Sequence, residues 1–414
     1  MTIIRWFLSK TVREAVAMRR HVAKILHHQR DILKPESVVA VEAAISNVRS
    51  AVKSGAKRDA LKAELRLLED TANKCLRPYP HAGWRENVEV FLVAIAVAMG
   101  IRTFFLQPFK IPTGSMQPTL YGVTSEDLRG RKDVEIPTGW DRVRDWFAGD
   151  SYLHVVAEED GILNRVEQPV GLGSNGTIFR AYQKYTFAGK PHTIWNPPDC
   201  GGYDLATRAG VSIGRHFKRG EDIFKLRVRS GDHLFVDRLT YNFRAPARGE
   251  IIVFETKGIQ FPAFGGGNLM AQDQFYIKRL VALGGERVQI GNDRHLKING
   301  SRLDSSTRHF AFVYGFDPKV PPSDSLFSGH VNKFTAKEAG VLMRDHRSAS
   351  DLLFLDENSV CELGPRELMV MGDNTMNSSD SRFWGSFPAN NVIGRSCFVY
   401  WPLSRRFGWN NLLH

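Results

Sequence analysis

The spacing of hydrophobic residues in the first part of the chain indicates helices. In stretches such as Ser46 to Asn73, apolar residues recur every three or four positions, and Leu61, Leu65 and Leu68 fall on one face of a helix. Charged residues surround that face, as expected of a helix that packs one side against a partner. The step from Lys34 to Pro35 breaks the pattern, because proline disfavours a helical conformation in the residue before it. The region therefore predicts a helical hairpin.

The longest uninterrupted apolar run extends from Val90 to Ile101, inside a mostly apolar window from Val88 to Phe109. A membrane-spanning helix needs about 20 mostly apolar residues, whereas a run of about 12 is also typical of a helix in a protein core. Arg102 lies near the end of the run, where its long cationic side chain could reach a membrane surface. The run by itself is compatible with either kind of helix.

Beyond Lys110 the pattern changes to short strands. Five runs are rich in β-branched and aromatic residues and are separated by Gly, Asp and Pro. These runs are Leu234–Leu239, Glu250–Glu255, Phe275–Val281, Arg287–Ile290 and Val392–Tyr400. Similar runs from Ser151 to Glu158 and from Thr177 to Phe187 predict a further sheet. One short helix, from Asp141 to Phe147, interrupts the stretch between residues 121 and 229. We therefore expect a mainly β region after the helices.

Positive charge is concentrated ahead of the apolar run. The chain has 56 Lys and Arg residues against 44 Asp and Glu residues, a net charge of +12, and residues 1–85 contain 17 of the basic and 8 of the acidic side chains. Basic segments next to a membrane helix stay on the cytoplasmic side, so this asymmetry favours a transmembrane helix with residues 1–85 in the cytoplasm. A cleaved secretory signal is disfavoured, because the run begins about 90 residues into the chain.

The composition excludes other classes of protein. With 43% hydrophobic and 24% charged residues the chain is unlike a fibrous or disordered protein, and a mean hydropathy of −0.27 excludes a polytopic membrane protein. The four cysteines, Cys75, Cys200, Cys361 and Cys397, are far apart, and no Cys/His cluster has zinc-ligand spacing. We therefore expect no metal site. In an oxidising compartment two of the last three cysteines could pair, or all three could remain separate thiols.

The first candidate for chemistry follows the apolar window directly. The segment Ile111-Pro-Thr-Gly-Ser115-Met-Gln-Pro118-Thr-Leu places a serine in a turn, after a glycine and shortly before a proline. A serine in a turn can direct both its Oγ and its backbone N–H towards a substrate, as acyl transfer requires of a nucleophile and an oxyanion donor. Most serines in such surroundings only form turns, so this segment alone does not define a site.

A second candidate is Lys278, in the predicted strand Phe275–Val281. Strand alternation places Tyr276, Lys278 and Leu280 on one face and Arg279 on the opposite face, where we expect solvent. A lysine that is removed from water loses its proton readily and can act as a general base. A lone lysine in a strand more commonly lays its stem along the sheet and keeps its ammonium group in water.

The third candidate is the segment Met371-Gly-Asp373-Asn374-Thr-Met-Asn-Ser378-Ser-Asp380-Ser-Arg382-Phe-Trp-Gly385. It combines turn-forming residues, hydroxyl groups that alternate with an acid, and an arginine. A solvated turn would not require Arg382 and Trp384. The density of functional groups therefore indicates more than a surface loop.

In combination and in this order, the three segments resemble bacterial type I signal peptidases of the Ser/Lys class. The resemblance covers residues 88–120, 231–290 and 370–402, about a third of the chain, and rests on Ser-Met-x-Pro-Thr-Leu, Tyr-Ile-Lys-Arg and Gly-Asp-Asn-x-x-x-Ser-x-Asp-Ser-Arg. It implies that Ser115 is the nucleophile and Lys278 the general base. It also implies that no metal or organic cofactor takes part.

The same resemblance implies roles for the supporting residues. Thr113, two residues before the nucleophile, would donate its hydroxyl to the oxyanion hole, together with the backbone N–H of Ser115. Ser378 would orient the lysine, and Asp380 and Arg382 would hold the third segment by an ion pair. The substrates would be exported preproteins with small side chains one and three residues before the cleavage site, as in Ala-x-Ala signals.

The expected architecture is a mainly β catalytic domain of antiparallel sheets, signal-peptidase-like, with an α-helical N-terminal region and one transmembrane helix. The expected regions are a basic helical cytoplasmic region (1–85), a transmembrane anchor (86–109), a catalytic β core (110–120, 230–300 and 366–402), an accessory β-rich insertion (121–229), a second insertion (301–365) and a C-terminal tail (403–414). Both insertions exceed the family's minimal core, and Val281-Ala-Leu-Gly-Gly-Glu286 replaces its usual Gly-x-Pro-Gly-Asp turn.

The expected protein is single-pass in the cell (inner) membrane, with a cytoplasmic N-terminus and an extracytoplasmic catalytic domain that removes signal peptides. Exposed aromatic residues such as Phe104, Phe105 and Trp384 could also contact the phospholipid bilayer, although packing in the protein core explains any one of them equally well. We expect no nucleic-acid partner.

Two alternatives remain. A Ser/Lys self-cleaving repressor would be soluble and carry a DNA-binding helix-turn-helix, and the apolar segment before Ser115 argues against it. An inactive protease-like scaffold with a basic partner-binding N-terminus would be expected to have lost Ser115, Lys278 or Ser378, and all three are present.

Overall fold

The computed structural model describes residues 9–77, 82–131, 133–172, 179–260, 273–339 and 351–409. The described residues divide into two compact units, one up to Ala96 and one from Val97 onward. The first residues of the expected cytoplasmic region (1–8) and the last of the expected tail (410–414) lie outside the described ranges.

The first unit contains three helices, α1 (Lys10–Gln29), α2 (Pro35–Ser54) and α3 (Arg58–Cys75). They share one apolar core, made by Val12, Ala15, Val22, Leu26, Val38, Val41, Val48, Leu61, Leu68 and Ala72. Pro35 begins α2, which confirms the expected break. The periodic stretch from Ser46 to Asn73 is divided between α2 and α3, because Gly55 ends α2 with a φ of 77°, a conformation that favours glycine.

A long apolar helix, α4 (Ala82–Phe104), follows this bundle in the sequence. Its segment Gly83–Phe104 has 22 residues and contains an 18-residue window with a mean hydropathy of 1.7, none of which is buried. Among the described residues it is the one helix that is long and apolar enough to cross a membrane. The exposure of its side chains disagrees with the alternative of a core helix.

The second unit is built on a seven-stranded antiparallel sheet. In spatial order its strands are β1 (Leu106–Lys110), β10 (His233–Asp237), β19 (Val392–Trp401), β11 (Ile251–Glu255), β12 (Phe275–Ala282), β17 (Glu367–Met371) and β18 (Phe387–Pro388). A second sheet contains β15 (Ser301–Arg302), β14 (Leu296–Ile298), β13 (Arg287–Ile290) and β16 (Cys361–Glu362). All five of the runs expected after residue 230 form strands.

Residues 121–229 form two sheets of their own around a separate apolar core. One contains β2 (Thr124–Asp127), β9 (Asp222–Arg229) and β3 (Asp150–Val156). The other contains β5 (Val170–Leu172), β6 (Phe179–Phe187), β4 (Gly161–Val166) and β8 (His216–Phe217), with β7 (Lys190–Trp195) paired to β6. The helices are α5 (Gly139–Phe147), close to the expected position, and the short α6 (Leu205–Arg208). We call residues 121–229 the accessory module.

The accessory module leaves and rejoins the large sheet at one point. Asp232 is fully buried, and its backbone N–H donates to the carbonyl oxygen of Tyr121 at 2.8 Å, while its carboxylate accepts from the Tyr121 N–H at 2.8 Å. Arg406 from the C-terminal region closes the same junction with a bidentate ion pair to Asp232 at 2.9 and 3.0 Å. The module also contacts the sheet through the Lys110–Asp199 ion pair and the packing of Trp146 on Trp401.

Residues 301–339 and 351–365 pack into the core of the second sheet. Phe310, Tyr314 and Phe354 are buried together with Val281 and Val288. The segment contains one further helix, α7 (Lys333–Glu338), and the short α8 (Ser381–Trp384) follows β17. All four cysteines are free thiols, so the alternative of separate thiols is the one that the structure contains.

Candidate active site

Ser115 lies in the turn that follows β1, and its side chain is 5% exposed. The backbone N–H of Gln117 donates to the carbonyl oxygen of Gly114 at 3.1 Å and closes the turn. Met116 and Leu120 are fully buried and belong to the same apolar cluster as residues of β10 and β11. The apolar residues that alternate with polar ones in this segment therefore pack the turn against the sheet, with Ser115 at its centre.

Lys278 lies in β12, between β11 and β17, and is 4% exposed. Its Nζ is 2.7 Å from Ser115 Oγ and donates to the carbonyl oxygen of Ile277 at 3.1 Å. Tyr276 and Leu280 belong to one apolar cluster, and Lys278 Nζ lies 5.4 Å from the centre of the Tyr276 ring. The structure thus brings together the first two segments, across 163 residues of sequence.

Arg279 corrects one expectation, because it is 1% exposed and does not face solvent. Its Nε and Nη2 donate to the carboxylate of Asp373 at 2.8 and 2.6 Å, and its Nη1 donates to the carbonyl oxygens of Gly249 and His309 at 2.8 and 2.9 Å. Strand alternation gave the correct side of the sheet, but Phe310 and its neighbours in residues 301–365 cover that side. The burial of Arg279 could have been recognised from the sequence, because a charged residue there stands among the apolar residues at the end of a strand.

Asp373 connects this ion pair to the nucleophile turn, since Thr119 Oγ1 donates to its carboxylate. Asn374 makes a second connection: its N–H donates to the carbonyl oxygen of Ser115 at 3.2 Å and its Nδ2 to that of Gly114 at 2.9 Å. Sequence reasoning quoted both residues within the third segment and gave neither of them a role. They fasten that segment to the Ser115 turn.

Asp380 and Arg382 form a fully buried ion pair, with Nε to Oδ1 at 2.8 Å and Nη2 to Oδ2 at 2.9 Å. Burial would raise the pKa of the Asp380 carboxyl. The charge and hydrogen bonds of Arg382, with the Gly372 N–H, outweigh burial and lower that pKa below its ordinary 3.8. Arg382 Nη1 also donates to Thr375 Oγ1 at 2.6 Å. The pair lies within the third segment, as expected.

Ser378 is 4% exposed and lies beside Asp380, where its hydroxyl helps to lower the pKa of the carboxyl. Its expected role in orienting Lys278 stays a prediction. Ser378 packs against Gly372, where an added Cβ would lie 2.2 Å from Ser378 Oγ and 2.4 Å from the Ser115 carbonyl oxygen. A side chain at position 372 would therefore push the third segment away from the nucleophile turn. The glycine at this position is a steric requirement of the site.

Thr113 and the three aromatic residues named from the sequence differ in their exposure to solvent. The Thr113 side chain is exposed, two residues before Ser115. Phe104 and Phe105 are exposed as expected, whereas Trp384 is 4% exposed and packs near Tyr276, because the turn of α8 directs it inward. Trp384 therefore belongs to the protein core, which is the second of the two explanations that the sequence left open for it.

The site has the groups that acyl transfer needs. A buried hydroxyl lies within hydrogen-bond distance of a buried amine, and a backbone N–H is available on the nucleophile residue itself. Within the described ranges no group of three or more His, Cys, Asp or Glu side chains is arranged to hold a metal ion.

Comparison with known proteins agrees with this chemistry. The family described as "Signal peptidase, peptidase S26" matches residues 84–125 and 225–401, which include all three segments. The signal peptidase I of Leptolyngbya laminosa is 30% identical over 204 residues, which are 49% of this chain and 74% of that protein. The signal peptidase I of Haemophilus influenzae is 28% identical over 229 residues, 44% of this chain and 64% of that protein.

A crystal structure of a signal peptidase I from Enterococcus faecalis covers 37% of this chain and 97% of its own, at 20% sequence identity and a TM-score of 0.19. The family match leaves out most of the accessory module and the N-terminal helices. It includes the apolar helix, the nucleophile turn, β12 and the third segment. On the family match and the similarity to the Leptolyngbya laminosa protein, the chain belongs to the signal peptidase family, peptidase S26.

Proposed function

We propose that the chain is a membrane-anchored serine endopeptidase that removes N-terminal signal peptides from exported preproteins through Ser115 and Lys278. The observation that carries the proposal is the separation of 2.7 Å between Lys278 Nζ and Ser115 Oγ, with both side chains buried. Removal from water disfavours the charged ammonium group, so burial favours the neutral amine that a general base requires.

The reaction proceeds through an acyl-enzyme. Lys278 Nζ takes the proton of the Ser115 hydroxyl while Oγ attacks the scissile carbonyl, and the resulting oxyanion accepts hydrogen bonds from the Ser115 N–H and the Thr113 hydroxyl. The protonated Lys278 then gives its proton to the departing amine of the mature protein. Water, deprotonated by Lys278, hydrolyses the ester and releases the signal peptide.

The supporting residues would fix this geometry. Asp380 and Arg382 hold the third segment, and Ser378 would turn towards the neutral amine when substrate is bound. This role of Ser378 requires a rotation of its side chain away from Asp380, whose carboxyl pKa its hydroxyl helps to lower in the present arrangement.

A membrane location suits these substrates. Ser115 is 11 residues beyond the end of α4 at Phe104, so the site stays near the surface from which an inserted signal peptide emerges. The basic residues before α4 support a topology with the N-terminal helices in the cytoplasm and the catalytic unit on the opposite side of the inner membrane. Family resemblance supports Ala-x-Ala signals as the sequences that are cut.

The test is cleavage of an Ala-x-Ala preprotein by the purified full chain in detergent micelles. Ser115→Ala and Lys278→Met should each abolish cleavage while circular dichroism remains unchanged. Lys257→Met, at an exposed lysine in a loop, is the matched control and should cleave like the wild type. Cleavage by a folded Ser115→Ala or Lys278→Met variant at a rate near the wild type would refute the proposal.

A further inference from the structure

We propose that Asp324 and Ser325, in the second insertion, are positioning residues that orient the Ser115 turn and its oxyanion-donating N–H. The inference rests on the proposed function, in which Ser115 is the nucleophile. Neither residue belongs to the three segments that carry the family resemblance. Both lie in residues 322–330, which we call the strap.

The strap contacts the nucleophile turn on both sides of Ser115. On one side, Ser325 Oγ donates to Gln117 Oε1 at 2.6 Å. On the other side, Asn374 Nδ2 donates both to Asp324 Oδ1 at 2.8 Å and to the carbonyl oxygen of Gly114 at 2.9 Å. The strap therefore reaches the turn directly through one side chain and indirectly through another.

The contact through Asn374 acts on the peptide bond that contains the oxyanion donor. The Gly114 carbonyl and the Ser115 N–H belong to one planar trans peptide, so fixing the direction of the carbonyl fixes the direction of the N–H. A carbonyl that accepts hydrogen bonds also polarises its own amide and strengthens the N–H as a donor. Asp324 thus influences the Ser115 N–H through Asn374.

Burial and charge restrict the hydrogen bonds between the strap and the nucleophile turn to one arrangement. Asn374 is fully buried and Gln117 is 3% exposed, so neither amide can exchange its protein partner for bulk water without a rearrangement. Both neighbours of Asn374 Nδ2 are acceptors, which fixes the orientation of its amide. A carboxylate at position 324 is the stronger kind of acceptor for this purpose.

The residues just before and just after the strap are held firmly and anchor it at both ends. Arg294 is 4% exposed, and its Nη2 donates to the carbonyl oxygens of Asp317, Pro318 and Val320 at 3.3, 3.0 and 2.7 Å. At the other end, the N–H of Val331 donates to Thr375 Oγ1 at 3.0 Å. Ser325 has a φ of 65°, which a residue with a side chain rarely adopts. Its place beside Gln117 is therefore imposed by the anchored strap.

A matched pair of variants tests the inference in the full chain. Asp324→Leu keeps the approximate shape and removes the acceptor, whereas Asp324→Asn keeps an oxygen that can accept from Asn374. Loss of a direct oxyanion donor lowers kcat by about 100-fold to 1000-fold. For this indirect contact we expect Asp324→Leu to lower kcat at least about tenfold with an unchanged KM, and Asp324→Asn to restore most of it. Asp304→Leu, in the same insertion, removes a carboxylate that accepts from the N–H and hydroxyl of nearby Ser306, and it should behave like the wild type.

A second measurement separates positioning from general destabilisation. A peptide aldehyde ending in the cleaved Ala-x-Ala sequence forms a tetrahedral adduct with Ser115, and its affinity should fall in parallel with kcat in Asp324→Leu. If that variant does not fold, Ser325→Ala, which removes the bonds from Ser325 Oγ to Gln117 and to Asp324 Oδ1 but keeps the Asp324 carboxylate for Asn374, should show the same parallel loss to a smaller extent. A folded variant with the kcat and aldehyde affinity of the wild type overturns the inference alone. Activity in Ser115→Ala would instead overturn the proposed function, and the inference with it.

Discussion

Removal of Arg279 should destabilise the catalytic unit more than any comparable change at an exposed arginine. Arg279→Met leaves the fully buried Asp373 carboxylate with Thr119 as its remaining side-chain partner, and removes the donor from the carbonyl oxygens of Gly249 and His309. Breaking a buried ion pair on one side costs about 3–5 kcal/mol of unfolding free energy, because the other charge stays buried without compensation. We expect a loss in that range.

The matched control is Arg287→Met. Arg287 pairs with Glu362 at 3.1 Å, but the two side chains are 63% and 70% exposed, so its loss should cost less than about 1 kcal/mol. The double variant Arg279→Met/Asp373→Asn removes both buried charges and should recover part of the loss, which gives a coupling energy between the two sites.

The assay is urea unfolding of the full chain in detergent micelles, followed by tryptophan fluorescence, with cleavage measured at the same temperature. A loss below about 1 kcal/mol in Arg279→Met would refute the reasoning, since it would mean that water reaches the buried carboxylate. Additive losses in the double variant would equally contradict the ion pair as the source of the effect.

Four further outcomes are expected. Lys278→Arg should abolish cleavage because a guanidinium group keeps its proton, and wild-type cleavage should rise with pH, both measured by initial rates on an Ala-x-Ala preprotein. Reporter fusions at Asp70 and at the C-terminus should read opposite sides of the membrane, and the same side for both would exclude the proposed topology. Burial lowers the pKa of His330 from 6.5 to about 3, so the unfolded chain binds a proton at a higher pH than the folded chain does. The free energy of unfolding should therefore fall by about 1.4 kcal/mol per pH unit as the pH drops below 6.5. In unfolding titrations, His330→Gln should make this dependence on pH less steep. Replacement of residues 124–229 by a short linker should leave peptide cleavage measurable, and its complete loss in a folded variant would make the accessory module part of the active site.

The predictions from sequence succeeded where a local pattern carries the information. Alternation in β12 was enough to place Tyr276, Lys278 and Leu280 on one face, and Pro35 was enough to start a helix. They failed where a distant segment decides the surroundings. Arg279 is buried because residues of the second insertion that lie outside regular helices and strands cover its face of the sheet. Those residues have no periodic pattern from which the burial of Arg279 could be predicted.

The strap was missed for the same physical reason. Ser325 and Gln117 are 208 residues apart in the sequence, and Asp324 is 50 residues from Asn374. An Asp-Ser pair in a loop is a common turn-forming sequence, so nothing local distinguishes it from a surface turn. Only the folded arrangement brings these side chains to the nucleophile turn.

The junction at Asp232 has a consequence for how this protein could change in evolution. Since Tyr121 and Asp232 are already hydrogen-bonded, the catalytic sheet itself closes the two ends of the accessory module. The entropy of closing a loop grows only slowly with its length, so residues can be gained or lost between these ends at little cost to the sheet. The module therefore lies at a position that tolerates insertions and deletions. New binding surfaces can be acquired there while the positions of Ser115 and Lys278 stay unchanged.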